Sequence, residues 1–144
     1  MTIKFTVPGD PCGKGRPRFS RHGNTVVTMT PTRTAEYEKL VKLSYISGTT
    51  RYCFPKGVPL RIKITAHYLI PQSATKANKA LMEANKMKPV KVPDWDNIGK
   101  IICDSLNGLA YHDDAQIGGG TVIQRYASGT EPMGEVEISE VSDD

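Results

Sequence analysis

The chain has 144 residues, 38% hydrophobic and 24% charged, a balance close to that of globular proteins that excludes a wholly disordered chain and a coiled coil. That length supports a core without disulfide or metal staples, so a single compact domain over residues 1–144 is expected. The net charge of +4 hides an asymmetry: the first 100 residues carry 18 basic and 6 acidic side chains, the last 44 only Arg125 against nine acids. Ordinary solvated charge would account for such a split, and so would a basic surface for a polyanion with acids collected elsewhere for another purpose.

Cys12, Cys53 and Cys103 form no CxxC and have no histidine pair nearby, which argues against a structural zinc site. An odd cysteine count, no leader-like start and no apolar run near membrane-spanning length point to a cytoplasmic protein without membrane contact.

Residues 2 to 7 alternate so that Ile3, Phe5 and Val7 share a face, predicting a first strand. The Gly- and Pro-rich run from Pro8 to Asn24 reads as a basic loop with room for a short strand, and the β-branched 25 to 30 stretch should pair back. Thr32 or Thr34 can cap a helix in which Tyr37, Leu40, Val41, Ser44 and Tyr45 follow helical spacing to Gly48. Residues 60 to 70 alternate cleanly, with Leu60, Ile62, Ile64, Ala66, Tyr68 and Ile70 on one face, as a central half-buried strand would. A helix over 73 to 86 should pack through a narrow stripe of Ala77, Ala80, Leu81 and Ala84. The extended segment 88 to 93 leads into a helix from about Trp95 to Asn107, buried through Ile98, Ile101, Ile102 and Leu106 and stopped at Gly108. Strands near 121 to 127 and 134 to 141 complete the order ββαβααββ. The expected fold is α+β, a mixed sheet packed by two to three helices.

Asp94-Trp95-Asp96-Asn97 falls where the extended segment becomes a helix. A plain N-cap explains one aspartate there, but not two followed by Asp113 and Asp114 just past the end of the same helix. Crowded carboxylates repel unless a cation neutralises them, and carboxylates without Cys or a His pair suit Mg²⁺ or Mn²⁺ better than zinc. Asp96, Lys100 and Asp104 recur every fourth residue opposite the isoleucine stripe. That spacing suits a salt-bridge ladder, and a lysine beside metal-binding acids also suits phosphoryl chemistry. Other motifs fail: Gly118-Gly119-Gly120 has no GxGxxG order, Lys14-Gly15-Arg16-Pro17 lacks a phosphate-loop frame, and His22, His67 and His112 are isolated. In PDWDNIGK, Asp96 precedes Lys100 by four residues, where the restriction-type nuclease signature needs two.

The stretch PDWDNIGKIICDSLNGLAYHDDAQI, residues 93 to 117, strongly resembles the signature of the RusA family of Holliday junction resolvases, often carried by prophages. GDPCGKGRPRF near the N-terminus is similar to the PKGRPR segment of phage-borne members. Trp95 departs from the usual aliphatic residue, and the glycine run at 118 to 120 is expected to interrupt the strand after the last acid. The resemblance implies a Mg²⁺-dependent endonuclease, Mn²⁺ substituting, that needs no small-molecule cofactor. It implies a homodimer that resolves four-way DNA junctions by paired nicks in recombination and repair.

The family's essential, metal-binding acids fall on Asp94, Asp96 and Asp114, with Asp113 a companion acid, and its functional lysine falls on Lys100. Lys14, Arg16, Arg18 and Arg21, with Lys76, Lys79, Lys86, Lys88 and Lys91, would hold the DNA backbone. One acidic site per subunit is expected, with the 73 to 86 helix or the 60 to 70 strand as interface. Two other readings stay open: a catalytically idle junction-binding protein, and a Mg²⁺ phosphatase of small nucleotides. The long basic half disfavours the second.

Overall fold

The computed structural model describes residues 1–15, 18–29, 32–129 and 131–141. Its elements in chain order are β1 (Thr2–Pro8), β2 (Arg18–His22), β3 (Thr25–Met29), α1 (Thr32–Thr49), β4 (Leu60–Tyr68), α2 (Lys76–Glu83), α3 (Trp95–Leu106), β5 (Ile117–Tyr126) and β6 (Met133–Glu140). Four strands form a mixed sheet in the order β1-β6-β4-β5, and β2 and β3 form a separate antiparallel hairpin. The architecture is α+β as expected, with one strand more because the basic loop contains β2. No helix among the described residues is long and apolar enough to cross a membrane.

Alternation builds the sheet. Along β4 every second residue from Leu60 to Tyr68 is buried, while Arg61 and Lys63 are exposed. The strand lies inside the sheet, antiparallel to β6 and parallel to β5. A parallel neighbour requires a crossover, and the segment carrying α2 and α3 supplies it. The buried sheet face meets α1 through Tyr37, Val41 and Tyr45, and α3 through Ile98, Ile101, Ile102 and Leu106. Phe5 of β1 and Tyr45 of α1 meet edge to face, ring centroids 5.3 Å apart, in the geometry that the aromatic quadrupole favours.

Three expectations are corrected. The glycine run does not interrupt the last acid's strand: β5 begins at Ile117 and runs through Gly118, Gly119 and Gly120, with a register irregularity between Leu60 and Arg61 on β4. Gly120 serves close approach, since a Cβ there would lie 2.8 Å from the Ile62 carbonyl oxygen. The alanine stripe is not a packing face: Ala77, Ala80, Leu81 and Ala84 are exposed, and α2 buries Met82 instead. Alanines bury too little area to orient an eight-residue helix, and one long flexible side chain prevails. Thr34 is not a cap, being buried two residues inside α1, where its hydroxyl accepts a hydrogen bond from the Gly15 amide (3.1 Å).

Candidate nuclease site on the third helix

α3 is amphipathic, and its polar side carries the candidate site residues. Ile98, Ile101, Ile102, Ser105 and Leu106 are buried, while Asp96 and Lys100 are exposed on the opposite side of the helix. Asp94 occupies the N-cap position in extended conformation, yet its side chain makes no capping hydrogen bond. Both carboxylates of the first turn therefore face solvent, where the positive end of the helix dipole favours negative charge.

Three contacts fix that turn. Gln124 of β5 donates from Nε2 to the Pro93 carbonyl (2.9 Å) and to the Tyr68 hydroxyl (3.0 Å). The Lys14 amide donates to the Asn97 carbonyl (3.1 Å). Gly13 lies so close that a Cβ on it would come within 2.6 Å of the Pro93 Cβ, so only glycine lets the N-terminal loop seat here.

At the other end of α3 a tight loop leads to Asp113 and Asp114. Tyr111 is buried, and its hydroxyl donates to the Cys103 carbonyl (2.5 Å). Asp113 caps a short 3-10 turn, Asp114–Gln116, accepting from the Ala115 amide (3.0 Å), while the Gln116 side chain accepts from the Asp113 amide (3.2 Å). Gln116 Nε2 also donates to the carbonyls of Pro55 and Val58, both at 3.0 Å, which ties the acidic turn to the loop before β4.

The hydrogen bond from Ala115 and the one shared with Asp114 hold Asp113 below the usual carboxylate range. The shared hydrogen bond raises Asp114 above that range, with slight burial and the charges of Asp113 and Asp104 adding to it. The acids at this end are thus short of positive charge.

Asp104 and Lys14 do not behave as the spacing suggests. Asp104 Oδ2 lies 3.5 Å from Lys14 Nζ, and Lys14 also bonds Glu38 of α1 at 2.9 Å. Partial burial works against the Lys14 charge, but the hydrogen bond and field of Glu38, with Asp104, outweigh it and keep its pKa above the ordinary lysine value. Lys14 thus bridges α1 and α3, and Asp104 belongs to that bridge rather than to a ladder with Lys100. The ion pairs formed among the described residues do not include Lys100.

Of the other expected DNA contacts, Arg21, Lys76, Lys86, Lys88 and Lys91 are exposed and Lys79 is half-buried. Lys91 Nζ lies 4.9 Å from the centroid of the Tyr68 ring. Arg18 opens β2, and Arg16 lies outside the described residues. Arg33, which no spacing in the sequence singles out, lines a cleft of about 590 Å³ with Lys91 and Asp94. Gln116 was legible in the sequence, since the spacing Asp113-x-x-Gln116 has the form of a capping box.

Oxygen donors of this kind fit a hard divalent ion in chemistry. Asp94 makes no capping bond, Asp96 is exposed, and Asp114 is raised by its acidic neighbours. Within one chain they form two groups, one at each end of α3. Among the described residues no three His, Cys, Asp or Glu side chains stand together so as to hold an ion. Cysteine chemistry fits poorly, since burial pushes the Cys103 thiol up to about 11 and raises that of Cys12, which suppresses the reactive thiolate.

A protein of Bacillus subtilis (strain 168), named "Uncharacterized protein YqaN", is 33% identical over 142 residues, covering 97% of each chain. Residues 8–139 match the family described as endodeoxyribonuclease RusA, a span that includes α3, both acidic ends and most of the sheet. The chain belongs to the RusA endodeoxyribonuclease family.

Proposed function

We propose that the protein is a Mg²⁺-dependent endonuclease that resolves four-way DNA junctions by paired symmetric nicks, in recombination and repair in the cytoplasm. Within the family match, the observation that carries this reading is α3 itself. Its inward face is core, and its outward face presents Asp94, Asp96 and Lys100 to solvent with Asp113 and Asp114 beyond its end. Asp94, Asp96 and Asp114 are the carboxylates that would hold the ion, with Asp113 beside them. When bound, Mg²⁺ or Mn²⁺ supplies Lewis-acid polarisation of the phosphodiester and lowers the pKa of water.

The remaining work falls to the chain's own groups. Lys100, in no ion pair among the described residues, offers its ammonium to the charge that develops on phosphate and leaving oxygen. Lys76, Lys79, Lys86, Lys88 and Lys91, with Arg16, Arg18 and Arg21, hold the backbone through salt-sensitive contacts that carry little sequence information. Lys14 orients the loop beside Asp94 through Glu38 and Asp104. One nuclease domain over 1–144 suffices for each subunit.

Two cuts related by two-fold symmetry call for two sites, and a C₂ homodimer supplies them. Asp96 and Asp104 are eight residues apart on α3, about 12 Å along its axis. Asp114 lies beyond the Asp104 end, so a dimer that sets the two α3 helices antiparallel brings the first turn of each towards Asp114 of its mate. Light scattering should give about twice the chain mass of 15.8 kDa. On a plasmid carrying an extruded cruciform the wild type should linearise the DNA, whereas dimers with one Asp94→Asn subunit should only nick it. A monomer that makes both cuts would overturn the dimeric reading.

A further inference from the structure

Three large apolar side chains stand in solvent within six residues of chain: Val90, Val92 and Trp95 are 96%, 76% and 65% exposed. Single exposed apolar residues are ordinary, but three together beside functional carboxylates are not. They line a groove of about 580 Å³ that Asp94 and Asp96 border. Trp95 is in helical phase with Ile98 and Ile102, three and seven positions on, both of which are buried. A core role would have covered it as well; instead the indole, at the first residue of α3, is left open.

Its support is rigid. Gln124 bonds the Pro93 carbonyl, and the Asp94 carbonyl accepts the Ile98 amide at 3.1 Å, so the backbone on both sides of the indole is held. Lys86, Lys88 and Lys91 precede it with no acid between residues 84 and 93. A flat aromatic face in a groove lined also by Lys91, Asp94 and Asp96 complements a nucleotide, whose base stacks while its phosphate stays polar. Bases inside a continuous duplex have no free face; bases at a branch point do.

We propose that Trp95, flanked by Val90 and Val92, is a stacking platform for a base unstacked at the branch of a DNA junction, next to the phosphate to be cut, and that it favours branched over linear DNA. The inference rests on the nuclease reading above and adds a selectivity residue to it.

The chain contains one tryptophan, so its emission reports on this position alone. In EDTA, titration with a synthetic four-way junction should quench the emission saturably, and a linear duplex of the same sequence should change it little. Trp95→Ala should weaken junction binding about tenfold or more, leave duplex binding and the melting temperature unchanged, and be largely rescued by Trp95→Phe. Junction binding without quenching, or equal junction affinity of wild type and Trp95→Ala, would overturn the platform. Emission that responds to dilution of the protein alone and not to DNA would overturn it too, by assigning the groove to a second copy. Cleavage by the same wild-type sample in Mg²⁺ separates the two claims. Cutting without dependence on Trp95 removes only the platform, whereas neither binding nor cutting removes the nuclease reading.

Discussion

Asp94→Asn, Asp96→Asn and Asp114→Asn are each expected to lower junction cleavage on the order of 100-fold or more, because each would weaken the hold on the ion that offsets charge at the phosphate, and losing one such stabilising group costs about that much. Junction binding in EDTA should persist or tighten, because each change removes a negative charge that repels the backbone. The substitutions are mild for the fold. All three aspartates are exposed, and Asp94 makes no side-chain capping bond, so asparagine, an equally good N-cap residue, serves at that position. Asp104→Asn is the control. Lys14 and Asp104 are only half-buried and 3.5 Å apart, and Lys14 keeps Glu38 at 2.9 Å, so the loss should stay near the scale of a surface pair, about 1 kcal/mol, and most activity should remain. Full activity in one of the first three variants, on a labelled junction in Mg²⁺, would remove that residue from the site.

Ile101→Ala should cost about 2–5 kcal/mol of stability, read from urea unfolding. Ile101 is wholly buried between α3 and the sheet, and a domain of this size has only about 5–15 kcal/mol in total. Its effect reaches function through the fold, since the helix that buries Ile101 presents Asp96 and Lys100 on its other side. Leu81→Ala on α2 is the comparison. Leu81 is 40% exposed, so truncation there should cost within about 0.5 kcal/mol. Equal losses at the two positions would contradict the division between core and surface described above.

What the residues announced, and what they did not, follows from whether a feature is local. Alternation of 60 to 68 and the Ile98, Ile101, Ile102, Leu106 spacing are imposed by the chain's own geometry, and both elements appear where the periods put them. The exposed placement of the candidate residues on α3 was legible for the same reason, since a helix that buries one side must offer Asp96 and Lys100 on the other. The α2 stripe misled because four small apolar residues satisfy the period without supplying burial. Gly118 to Gly120 misled because glycine signals a break as readily as the close approach that Gly120 makes to Ile62. Lys14 with Glu38 and Asp104, and Gln124 with Pro93, depend on which elements the tertiary fold brings together. No local period encodes those pairs, and a basic loop reads as free charge until its partners are known.

The central claim, that this chain cuts branched DNA with metal-assisted carboxylates on α3, is tested most directly on a synthetic four-way junction. Each of its strands is end-labelled in turn and incubated with the protein in Mg²⁺ or in EDTA. Symmetric nicks in two strands of like polarity are expected with Mg²⁺ or Mn²⁺, and an intact, protein-bound junction in EDTA. A junction that is bound tightly yet stays intact in Mg²⁺ and in Mn²⁺ would contradict it and leave a protein that holds branched DNA without cutting it.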